Sequence, residues 1–153
     1  MAFVDYEYFT SLYGANAITQ ETFNRLLWKA EHLMCDATTG VDGFCKLKGA
    51  FPEDEATIEA IKRCACELVD ISNQIEKANM SVSEGKAIKS VTAGNESISY
   101  DTTSGIIHAV MSDKKAQTRL FQDTIDAYLE GTKDKNGVNL LYVGVYPYRN
   151  VEV

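Results

Sequence analysis

The stretch "PEDEATIEAIKRCACELVDISNQIEKANM", residues 52–80, constrains the fold most. Ile58, Ile61, Ala65, Leu68, Ile71 and Ile75 recur at steps of three and four, and most positions between them are polar. That spacing draws one apolar stripe along a long helix, and such a stripe must be covered. Pro52 and the acids after it suit the positive end of a helix dipole, so the start is marked too. A helix of this length makes the class mainly α.

Three other helices follow from the same argument. Tyr6, Phe9 and Tyr13 share one side of a short helix over 5–13, and Gly14 can take the left-handed conformation that ends it. Thr19 is a good N-cap for a second helix running to Ala37. Its buried face would be Phe23, Leu26, Leu27, Ala30, Leu33, Met34 and Ala37. Gly40 and Gly43 bracket a loop that reaches Pro52. The last helix is predicted over 113–130, with Leu120, Phe121, Ile125, Tyr128 and Leu129 inward and Gly131 as its stop.

Before that last helix the pattern changes. "KAIKSVTAGNESISYD" places β-branched residues around Gly94-Asn95, a strong turn dipeptide. This predicts a hairpin at about 86–100, with Ile88, Val91, Ile98 and Tyr100 as its larger apolar side chains. A lone hairpin is marginal in water, so it must lie on its own helices or pair with another subunit. The following "TTSGIIHAVMS" is apolar but too short to assign. The expected architecture is a small helical bundle of about four helices over 1–139, carrying a protruding β-hairpin.

The chain ends in "LLYVGVYPYRNVEV", residues 140–153, read as an extended C-terminal arm. Such a terminus is normally polar and frayed. Leu140, Leu141, Tyr142, Val145, Tyr146 and Tyr148 therefore look like an interface, whether with a neighbouring subunit or another partner. Pro147 discourages a central strand, which suits an edge or an arm. The competing expectation is a segment tucked against its own helices.

Composition narrows the function. The 153 residues suffice for one domain with a real core, without metal or disulfides. The net charge is −7 and no basic run occurs, which argues against nucleic-acid or anionic-membrane binding. It does not exclude a protein past which DNA slides. No segment approaches the roughly 20 apolar residues of a membrane span. The start "MAFVDYEYF" lacks a basic region followed by a long apolar run, so it does not read as a signal peptide, and the protein is expected to be cytosolic, or at least not exported by that route. Cys35, Cys45, Cys64 and Cys66 are then expected as reduced thiols.

The search for chemistry returns little. Cys64 and Cys66 lie two apart on a helix and point roughly 200° around it, a poor fit to a tetrahedral metal. His32 and His108 have no flanking signature of a nucleophile pair. No dinucleotide, phosphate-loop, nucleophile-elbow or zinc-protease motif is present. No enzyme, metal or cofactor emerges.

What does emerge is an order of features. "YEYFTSLYGANAITQETFNRLLWKAEHLMCDATTG" resembles the opening of head–tail connector (adaptor) proteins of long-tailed bacteriophages and prophages. The matching residues are Tyr8, Tyr13, Gly14, Ile18, Phe23, Leu26, Ala30, Asp36 and Thr38. "IKRCACELVDI", "IKSVTAGNESISYD" and "AYLEGT…LLYVGV" resemble later family segments in the same order. "KDKN" is an insertion, and Val143 stands where the family often has Arg. The resemblance implies a structural virion protein at the capsid–tail junction, made in the bacterial host cytoplasm. It implies a homo-oligomeric ring, usually a dodecamer, under the portal protein and above a tail-side stopper or tail protein. DNA would pass through that ring without specific binding. The alternative from another class is a small helical ligand-binding or regulatory module, with Tyr6, Tyr8, Phe9 and Trp28 lining a pocket.

Overall fold

The computed structural model describes residues 3–83 and 113–148. Its helices are α1 (Tyr6–Tyr13), α2 (Gln20–Ala37), α3 (Lys46–Gly49), α4 (Glu55–Ser83) and α5 (Lys114–Leu129). Among the described residues the only β pairing is two isolated antiparallel bridges, Thr39 with Cys45 and Lys133 with Asn139. The chain is therefore mainly helical. The hairpin expected at 86–100 lies outside the described residues.

Each of the four longer helices starts at a side-chain cap, of which Thr19 is the one the sequence marks. The Asp5 carboxylate accepts from the Tyr8 amide at 2.8 Å, and the Thr19 hydroxyl from the Thr22 amide at 3.2 Å. Asp54 accepts from both the amide and the hydroxyl of Thr57, and Asp113 accepts from the Lys115 amide. These oxygens satisfy amides that have no partner inside the helix. At the far end of α2, two threonines act where a glycine often would. The Thr38 hydroxyl donates to the Met34 carbonyl at 3.0 Å, and the Thr39 hydroxyl to the Cys35 carbonyl at 2.6 Å.

Two compact units divide the chain, one comprising 1–69 with 122–153 and the other 70–121. In the first, α2 packs against both α1 and α3. Phe9 is fully buried, with its ring 5.2 Å from Phe23 and stacked at 4.8 Å on Tyr13. Leu26, Leu27, Ala30 and Met34 bury the rest of the α2 face, and Ile61, Cys64, Ala65, Cys66, Leu68 and Val69 that of α4. Each large aliphatic side chain so buried contributes roughly 1.5–3 kcal/mol, against about 1 kcal/mol for a cap. The apolar faces decide where the helices lie, and the caps decide where they begin. In the second unit, Ile71, Ile75 and Phe121 are buried.

Two expectations change here. Residues 140–148 do not form an extended arm: Leu140 is fully buried and Tyr146 nearly so, and the block is bonded to its own chain. The physical reason is that the 38–50 loop offers the block backbone and side-chain partners. The cysteines also part company. Cys64 and Cys66 are buried thiols, whereas Cys35 and Cys45 form a disulfide with their Cα atoms 5.8 Å apart.

Candidate functional site

Two tight turns of the same design seat the C-terminal block. In "GVDGF" the Gly43 amide donates to the Gly40 carbonyl at 3.0 Å and the Gly40 amide to the Phe44 carbonyl at 3.3 Å. In "DKNGV" the Gly137 amide donates to the Asp134 carbonyl at 3.0 Å and the Asp134 amide to the Val138 carbonyl at 2.8 Å. Gly43 and Gly137 sit at φ +81° and +82°, the left-handed position that such a turn requires and glycine adopts freely. The second turn meets the end of α3, where the Lys135 amide donates to the Ala50 carbonyl.

The block crosses the first turn along several contacts. The Val41 amide donates to the Val143 carbonyl at 2.7 Å, and the Tyr146 amide to the Asp42 carboxylate at 3.0 Å. The rings of Phe44 and Tyr146 stack at 4.2 Å. Gly40 is needed for this approach, because a Cβ there would collide with the Gly144 carbonyl oxygen. Gly40→Ala is therefore expected to destabilise the protein by about 1–3 kcal/mol, the usual cost of overpacking. Chemical denaturation checks it, and an unchanged midpoint would mean the block is not seated as described.

Beneath the block lies a polar hub. The Lys46 ammonium donates to the Thr38 and Tyr142 carbonyls and lies 5.8 Å from the Tyr142 ring centre. Only 1% of Lys46 is exposed. Burial holds its pKa below the usual lysine value, against the pull of the nearby Asp134 and Asp42 carboxylates. Asp134 is buried as well, and accepts from the Asn136 and Val138 amides and from the Tyr146 hydroxyl at 2.6 Å. Burial and that bond push the Tyr146 phenol up to about 12, so it stays a donor at neutral pH.

The outer side of the same assembly is apolar and exposed. Val41 is 78% exposed, Val143 61% and Val145 64%, and Tyr142 and Tyr148 are also open to solvent. Of the expected interface residues, Leu140 and Tyr146 thus face the chain's own interior. Tyr142, Val145 and Tyr148 face outward, and Leu141 is half-buried. Ile88, Val91, Ile98 and Tyr100 lie outside the described residues. Sequence reasoning missed Lys46, Asp42 and Asp134. The two "DG" and "NG" turn signals were available, but nothing local shows that their loops meet.

The aromatic residues weighed for a ligand pocket do not converge. Tyr6 lies against Phe23 and donates to the Ile18 carbonyl at 2.7 Å. Tyr8 donates to the Glu59 carboxylate, and its phenol is pushed up to about 12 by burial and by that bond. Trp28 is 73% exposed and stacks on His32 beside an open depression of about 390 Å³, which Cys35, Leu47 and Lys48 also line. Burial pushes the Cys64 and Cys66 thiols up to about 12, which removes their nucleophilic character at neutral pH. Among the described residues, no three metal-ligating side chains converge. Comparison with protein-family models, with curated proteins and with solved structures finds no match to this chain.

Proposed function

We propose that this chain is a structural head–tail connector of a long-tailed bacteriophage or prophage, acting as a ring subunit between portal and tail. The observation that carries the proposal is the set of exposed apolar side chains formed by Val41 of the loop and by Tyr142, Val143, Val145 and Tyr148 of the block that is pinned to it. Contiguous exposed apolar patches mark interaction surfaces, and a pinned one loses little entropy on docking. A ring needs two different faces per subunit, and this set supplies one of them. The hairpin read over 86–100 would supply contacts elsewhere. The collinear resemblance in sequence names the kind of ring, and the net charge of −7 suits a channel through which DNA slides without sticking.

The test is assembly. Negative-stain microscopy of the concentrated protein, alone and with a portal ring, is expected to show rings tens of ångströms or more across. Val143→Ser with Val145→Ser should weaken or abolish them while the fold persists. A strictly monomeric protein at high concentration that also ignores the portal ring would overturn the proposal.

A further inference from the structure

Several of the contacts that seat the C-terminal block lie inside, or one residue beyond, the loop closed by the Cys35–Cys45 disulfide, while the Tyr146 hydroxyl is held separately by Asp134. Gly40, Val41, Asp42 and Phe44 fall within it, and Lys46 follows immediately. Cys35 belongs to the last turn of α2, so the bond ties the loop to the end of that helix. Cross-linking a loop removes conformations in which its contacts are lost. Cys35 is also half-buried and lines the open depression beside Trp28, His32 and Lys48, so a small thiol can approach it. Cys64 and Cys66 are buried on α4 and take no part.

We propose that the Cys35–Cys45 disulfide is a redox-sensitive latch that sets how firmly the 38–50 loop holds the C-terminal block. Opening is thiol–disulfide exchange. One thiolate of a small dithiol attacks a protein sulfur, giving a mixed disulfide and one cysteine thiolate. The second thiol of the reagent then displaces the other cysteine. The protein gains two thiols and the dithiol becomes a cyclic disulfide, a transfer of two electrons and two protons. Closing runs the other way with a low-molecular-weight disulfide such as oxidised glutathione, which leaves as two thiols. With the latch open, the Thr39–Cys45 bridge loses its covalent support, and the Val41 and Tyr146 amides exchange with solvent more readily.

The test uses the full chain, treated with oxidised glutathione or with dithiothreitol. Alkylation in denaturant should modify two cysteines after the first treatment and four after the second. Amide exchange followed by NMR should accelerate at least tenfold at Val41 and Tyr146 on reduction, and stay unchanged across Ile61–Val69 of α4. Cys35→Ser with Cys45→Ser should match the reduced protein under both treatments. Four alkylated cysteines after oxidation, or equal exchange at Val41 and Tyr146 in the two states, would overturn the latch. The wild-type comparison decides the matter even where the double variant fails to fold.

Discussion

Truncation after Asn139 is expected to lower the thermal midpoint by roughly 10–20 °C, in addition to any effect on assembly. Two buried side chains leave with the block, Leu140 and Tyr146. Deleting a buried leucine side chain costs about 2–5 kcal/mol, and a buried aromatic about 3–5. These losses share a site and do not simply add, so a combined loss of about 5 kcal/mol is reasonable. At this chain length each kcal/mol moves the midpoint by about 2–4 °C. Because small proteins hold only about 5–15 kcal/mol in total, the truncated chain sits near the edge of folding. Exchanging Val143 and Val145 for serine touches only exposed side chains and should change stability by less than about 0.5 kcal/mol at each position. Circular dichroism during heating separates the two variants. A truncated protein that melts like the full chain would place the block outside the core.

That contrast separates two roles carried by neighbouring residues. The sequence "LLYVGVYPY" reads as uniformly sticky, and nothing in it tells Leu140 from Val143. The division comes from the loop onto which it folds. The inward pair seats the segment, and the outward set stays exposed, where the proposed partner would dock. An interface argued from hydrophobicity alone would have mixed them.

The helices, by contrast, were legible. α2 begins after Thr19 and ends at Ala37, as its cap and its apolar spacing require. α1 and α5 fall within a residue of the expected bounds, and α4 starts at Glu55, after its Asp54 cap, and runs on to Ser83. Helical signals are local, repeating every three or four residues, so a sequence displays them directly. α3 escaped notice because four residues carry no period. The hub escaped for a different reason. Lys46 reaches Tyr142 across 96 residues, and Asp42 reaches Tyr146 across 104. Each side chain looks like an ordinary surface charge beside a glycine turn, and only the tertiary fold buries it. "KDKN", which stands as an insertion relative to the resembled family, carries Asp134, the carboxylate that receives the Tyr146 hydroxyl. The disulfide was missed on other grounds: an expected cytosolic setting argued for reduced thiols, whereas Cys35 and Cys45, only ten residues apart, are brought together where α2 ends and the loop turns back.

Lys46→Met tests that hub, and the expected loss is about 2–4 kcal/mol although the methylene stem is largely preserved. The Thr38 and Tyr142 carbonyls lose a charged donor, and Asp134 loses its compensating neighbour in a buried setting. The alternative outcome is instructive. Burying a charge is costly, so a well-packed methionine that left stability unchanged would show that the ammonium gives specificity rather than stability. A double-mutant cycle with Asp134→Asn decides between them, because the pair should couple by at least about 0.5 kcal/mol if the charges sense one another. The pH dependence supplies a second readout. The folded pKa of Lys46 lies below its unfolded value near 10.5, so in the window between the two the unfolded chain holds more protons. Stability from this group therefore rises with pH through that window. Tyr146 acts oppositely: its contribution is full below pH 10 and is lost as the pH climbs through about 12. Wild type minus Lys46→Met isolates the lysine, since Tyr146 is common to both. A difference that stays flat as the pH rises to 10.5 would mean that the Lys46 ammonium is solvated, and that the block is held by its apolar contacts alone.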